Sequence, residues 1–150
     1  MASSTSPDFS TQLAESQQTM RTRMDKYVSA WNSGDLETIL SYFVDEALDY
    51  SDYGLMALHM DKKALTAYFQ QLGSLFGSMD IKTTGVNGVG DFCVWECVFE
   101  FTVLEDNAGI PYEKGERGKL FSASVIHWNS DGKIVKESDY AVWGNQKGHS

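Results

Sequence analysis

The sequence predicts an α+β fold: a cone-shaped, curved antiparallel sheet with three helices packed on its concave face. Three observations predict it. Apolar residues recur at helical intervals up to Phe76, strand alternation runs from Met79 to Trp143, and the change between the two periods first shows in YVSAWNSGDLETILSYFVDEALDYSDY, Tyr27 to Tyr53. Helices followed by a run of antiparallel strands segregate into two layers. A strongly bent sheet covered by helices closes at one end and gapes at the other, and the gap is the expected binding site.

The elements follow in order. Residues 1–8 are Ser/Thr-rich, lack periodicity and read as a flexible tail, as do 144–150. A long helix starts at about Phe9 and runs through Leu13, Met20, Met24, Tyr27 and Val28 to Trp31, where Asn32-Ser33-Gly34 breaks it. Leu36, Ile39, Leu40 and Phe43 form a second helix that ends at Asp45-Glu46-Ala47, and Leu48 to Tyr53 alternates as a strand. Gly54 to Met60 reads as an irregular apolar link. Asp61 then caps a third helix over Ala64 to Phe76, which Gly77 stops. In the second half, Met79 to Val86 alternates, Asn87-Gly88 signals a hairpin turn, and Phe92 to Glu105 alternates again. In that long strand Cys93, Trp95, Cys97, Phe99, Phe101 and Val103 share the core face. Asp106 to Glu116 is a polar loop; Arg117 to Trp128 and Lys133 to Trp143 are strands about the Asn129-to-Gly132 turn.

Composition narrows the function classes. At 150 residues, 42% of them hydrophobic, the chain suits one globular domain spanning 1–150, and no apolar run is long enough to cross a membrane. A net charge of -9 with a pI near 4.6 opposes nucleic acid and membrane surfaces. The N-terminus lacks a secretory signal pattern, which places the protein in the cytoplasm. Cys93 and Cys97 stand ~13 Å apart along one strand face, too far to pair, and read as buried thiols. His59 and Asp61 form an H-x-D pair, but they lead into a helix, so no metal is expected.

The acids carry the chemistry. In Ile134-Val135-Lys136-Glu137-Ser138-Asp139-Tyr140-Ala141, alternation puts Glu137 and Asp139 on one face with apolar neighbours. If that face lines the cavity, burial and mutual repulsion raise their pKa values toward neutrality, where a carboxyl serves as base or acid. Asp49, on a face with Ser51 and Tyr53, is the third acid: a partner for Tyr27, an anchor for a substrate hydroxyl, a second base, or a turn residue. Trp31, Tyr68, Trp95, Phe99 and Ser124 are candidates for the wall. Tyr112 and Arg117 flank the loop and would reach over a ligand. His127 falls on the outer sheet face. There, Val94, Val98 and Val125 among Glu96, Glu100 and His127 would form a homodimer contact.

The Tyr27-to-Gly54 span, with a helix, N-x-G-D-L, a short helix ending F-x-D-E-A and then a strand, resembles ketosteroid isomerase and the SnoaL-like polyketide cyclases of the nuclear transport factor 2-like superfamily. The closing DGKIVKESDYAVWG is similar to that family's last strand, so the resemblance covers about residues 20–144. It implies that Tyr27 stands where the isomerases keep their oxyanion-binding tyrosine. It also implies that Ser51 and Ser124 replace the isomerases' two catalytic-site aspartates, whereas the cyclases carry an acid on the last strand, where Glu137 and Asp139 stand. The expectation is a cofactor-independent cyclase or isomerase acting on a hydrophobic natural-product intermediate by carboxylate acid/base catalysis. Its catalytic residues would be Glu137, Tyr27, Asp49 and Asp139, and its substrate contacts Trp31, Ser51, Tyr53, Tyr68, Trp95, Phe99, Tyr112 and Ser124. A dehydratase leaning on His59, or a non-catalytic module whose cavity is filled by Trp95, Phe99 and Tyr68, are the alternatives.

Overall fold

The helical half folds as its spacing dictates. In the computed structural model, which describes residues 8–144, α1 runs Phe9–Ser33, α2 Leu36–Leu40 and, later, α3 Lys62–Leu75. Each starts on an aspartate that accepts a hydrogen bond from its first turn: Asp8 from the Thr11 N–H, Asp35 from Glu37 and Asp61 from Ala64. The expected tails 1–7 and 145–150 lie outside the described residues, while Asp8 and Gly144 are tied in, Asp8 as a cap and Gly144 through its N–H to the Lys119 carbonyl. Gly34, at φ 71°, closes α1 in the left-handed conformation that permits the sharp corner into α2. Lys62 fastens the next corner: its ammonium donates to the Phe43 carbonyl at 2.9 Å and, at 2.8 Å, to the Leu40 carbonyl, which also accepts the Phe43 N–H.

Six strands form one sheet: β1 Asp49–Asp52, β2 Ala57–Met60, β3 Phe76–Val89, β4 Phe92–Val103, β5 Arg117–Trp128 and β6 Ile134–Trp143, in spatial order β2-β1-β6-β5-β4-β3. The sheet is mixed rather than purely antiparallel, because β1 lies parallel to β6, with Tyr50 opposite Glu137 and Asp52 opposite Asp139. Three local readings are corrected. The link after Gly54 contains β2, which pairs with β1 through a bulge. The third helix ends at Leu75, and Gly77 belongs to β3. The β3–β4 hairpin turns at Gly90-Asp91, so Asn87 and Gly88 remain in the ladder opposite Val94 and Cys93. Gly88 is required there by close approach, since a Cβ would stand 2.2 Å from the Phe92 carbonyl oxygen.

The core forms where helix α1 meets the inner sheet face: Met20, Met24 and Tyr27 pack against Trp95, Ile126 and Trp128, with Leu65 and Phe69 of α3 beside them. Asn32 pins the end of α1 to β3 through two hydrogen bonds with the Ile81 backbone, at 2.8 and 3.0 Å. A smaller cluster of Phe101, Val103 and Ile110, flanked by Tyr112 and Trp143, packs the far end of the sheet. Cys93 and Cys97 are buried free thiols; burial pushes Cys93 up to about 11. Among the described residues no helix is long and apolar enough to cross a membrane.

Candidate active site

Between α1, α3 and the inner sheet face lies a cavity of about 660 Å³. Its walls are mostly apolar, from Leu72, Phe76, Met79, Phe99 and Phe101 to Trp143, and its polar groups converge where β1, β6 and β5 adjoin. Alternation brings Glu137 and Asp139 to this face of β6, Tyr50 and Asp52 to that of β1, and Ser122 and Ser124 to that of β5.

Glu137 is 1% exposed, and its Oε1 accepts the Tyr27 hydroxyl proton at 2.9 Å. Asp139, half-buried, accepts from the Tyr50 hydroxyl on Oδ2. Its Oδ1 is buried and reached by no donor as the carboxyls stand ionised; the remaining polar neighbours of that carboxyl are Ser124 and Glu137 itself. Two carboxylates cannot hydrogen-bond to one another unless one of them holds a proton. Burial above all, then the charge of Asp139, pushes Glu137 well above the ordinary carboxylate range, toward the neutral form that can donate to a neighbouring carboxylate. Burial also raises Asp139, while the neighbouring Glu137, Ser124 and Tyr50 act to lower it. The two carboxyls thus stand on one face of β6 with a phenol donating to each, and burial favours the neutral form of both, Glu137 the more strongly.

A second group adjoins it. Asp52 accepts the Tyr68 hydroxyl proton at 2.7 Å on Oδ2, and the Gly54 and Leu55 N–H groups at 2.9 and 3.2 Å on Oδ1. Burial, followed by the Asp52 charge, raises the Tyr68 phenol. Burial likewise raises Tyr27 and Tyr50, with the charges of Glu137 and Asp139 acting in the same sense, so all three phenols remain protonated donors.

The structure brings together Glu137, Asp139, Trp31, Tyr68, Trp95, Phe99 and Ser124 on the cavity wall. Trp95, Phe99 and Tyr68 line the space and leave it open. Tyr27 is placed differently from expectation: it is fully buried behind Glu137, and its hydroxyl is committed to that carboxyl rather than aimed at a substrate oxygen. Four other residues lie outside the cavity. Asp49 meets the His59 ring at 3.1 Å on the exposed sheet edge. Ser51 is buried with its hydroxyl accepting the His59 N–H. Tyr53 stacks on Tyr140 on the outer face, rings 4.9 Å apart. Tyr112 packs behind Phe101 and Trp143 and donates to the Gly144 carbonyl. Arg117 holds the Ser78 carbonyl instead of reaching over a ligand, and His59 is too far out to serve a dehydratase in this cavity.

Tyr50 and Asp52 reach the cavity because β1 turns inward the face opposite to that of Asp49, Ser51 and Tyr53. Both of its faces offer an acid and a tyrosine, but Leu48 and Tyr50, the more apolar phase, face inward at 6% and 3% exposure and carry Asp52 with them. That apolar phase was the available signal.

The SnoaL-like domain family model matches residues 24–137. The chain is 23% identical over 135 residues to the cyclase aurE of Calcarisporium arbuscula, covering 89% of this chain and 95% of that protein. Among solved structures, a protein of ketosteroid isomerase-like fold from Catenulispora acidiphila superposes with TM-score 0.61 at 14% identity, covering 79% of this chain and 83% of its own. SalBIII, an epoxide hydrolase/cyclase-like enzyme of pyran ring formation in the polyether salinomycin, superposes with TM-score 0.67 at 18% identity, covering 85% and 92%. These likenesses establish the fold and a distant homology to cyclases.

Proposed function

On the premise that the chain belongs to the SnoaL-like domain family, we propose that it is a cofactor-independent cyclase, acting on a hydrophobic natural-product intermediate through the Glu137–Asp139 pair. The observation that carries this reading is the placing of two carboxyls side by side on the wall of an apolar cavity, Glu137 held by Tyr27 and Asp139 by Tyr50; in this reading they share one proton, held by Glu137. Asp139, the more open of the two, takes a proton from a substrate O–H or acidic C–H as the new bond forms. Glu137 gives its proton to the oxygen that gains electron density. The pair ends with one proton, as it began, only its position exchanged, so product and substrate are isomers and neither water nor redox equivalents are consumed. Tyr27 and Tyr50 hold the two carboxyls in place, and the aromatic walls fold the substrate. Distant homology to a cyclase and to a cyclase-like enzyme of ring formation supports the same direction.

Proton removal can be read without the natural substrate. Nitrobenzisoxazole opens its ring when a base takes its one acidic C–H proton, the N–O bond breaking to give a coloured phenolate. The protein should accelerate this opening with saturation, and Asp139→Asn should lose about 10²-fold or more, the usual range for a positioned base. An Asp139→Asn protein as active as the parent would end the assignment.

A further inference from the structure

The charge of the cavity is one-sided. Its wall carries three carboxyls, Asp52, Glu137 and Asp139, and among the described residues lining it there is no lysine, arginine or histidine. Strand pairing puts Asp52 directly opposite Asp139, so their side chains are neighbours on one face. Protonation of any one of the three still leaves two negative charges. Asp52 is also fixed: its three hydrogen bonds are all accepted, from Tyr68, Gly54 and Leu55, which is the bonding pattern of a carboxylate. The strongest donors nearby are spent, since Tyr27, Tyr50 and Tyr68 already point their hydroxyls at Glu137, Asp139 and Asp52. An incoming anion would meet two like charges, no cation and no free phenol.

We infer that Asp52 makes this cavity charge-selective, admitting neutral or cationic ligands and excluding those that carry a carboxylate or phosphate. The inference rests on the reading of the cavity as the substrate site, and it narrows the substrate class. The molecule must arrive with any acid group masked as an ester, lactone or amide.

Three probes of one shape test it: methyl naphthoate, naphthoate and naphthylmethylammonium, titrated calorimetrically into the full chain. The ester and the ammonium should bind at least about tenfold more tightly than naphthoate, as expected when like charges meet at short range in a partly dry site. Asp52→Asn retains an amide oxygen for Gly54 and Leu55, and it should narrow the ester-to-naphthoate ratio at least about threefold. Equal affinity for ester and naphthoate, or an unchanged ratio in Asp52→Asn, overturns the inference. If proton removal from nitrobenzisoxazole persists in that case, charge selection alone has failed. If none of the three probes binds and nitrobenzisoxazole is not turned over, the reading of the cavity falls with it.

Discussion

Glu137 has every reason to be neutral: it is fully buried and faces a second acid. Its pKa is raised in the folded chain. The stability contributed by its protonated form is therefore whole below the unfolded value near 4.5 and is lost as pH climbs through the folded value. Glu137→Gln removes that loss, so denaturant titrations across a pH series should show the variant gaining on the parent as pH rises above about 4.5. A stability difference that stays flat with pH would mean that the carboxyl is not protonated. Tyr27→Phe keeps the ring among Trp31, Phe43, Trp95 and Trp128 but removes the donor to Glu137. It should cost about 1–3 kcal/mol in urea unfolding. Because that hydrogen bond favours the ionised form of Glu137, its loss should also move the alkaline limb of the pH–rate profile upward. At this scale the sequence was readable for Glu137 and Asp139, which alternate in phase with the apolar Ala141 and Trp143 on one face of β6. It misled for Asp49, Ser51 and Tyr53, on a strand of only four paired residues with acids and tyrosines on both sides.

Elements were legible where local chemistry decides them. The Asp61 cap and the Asn32-Ser33-Gly34 corner mark helix ends directly, whereas the Asp8 and Asp35 caps emerge only in the structure. The hairpin was not, because Asn87-Gly88 carries a strong local turn signal that the pairing of Val86 with Trp95 and of Gly88 with Cys93 overrides. The β1–β2 edge was obscured by its bulge and by Met56 and His59, both at positive φ, which interrupt alternation. Lys62 has no signature in spacing, yet it closes α2 from another helix. Lys62→Met keeps the stem and removes the ammonium, so it should cost about 1–2 kcal/mol by taking its hydrogen bonds from the Leu40 and Phe43 carbonyls, of which Leu40 keeps the Phe43 N–H. Denaturant midpoints check this, and an unshifted midpoint would show that water replaces the ammonium at no cost.

Across the whole molecule, the fold class was readable from the order of periods, but the joining of β1 to β6 was not. That parallel pairing connects segments almost ninety residues apart, and alternation says nothing about which strands become neighbours. It is also what assembles the site, since it lays Tyr50 and Asp52 beside Glu137 and Asp139. The outer face of β5 and β6 exposes Phe121, Tyr140 and Val142, and we propose that a homodimer covers it. Sedimentation should find a dimer that Val142→Lys dissociates, and a monomeric parent would remove this proposal. The shared proton is tested most directly by infrared titration, which separates the C=O stretch of a protonated carboxyl from carboxylate bands. A protonated-carboxyl band that persists through neutral pH and vanishes in Glu137→Gln is the predicted result. If Glu137 and Asp139 both ionise with the exposed acids, the pair holds no proton, and the division of acid and base between them is contradicted.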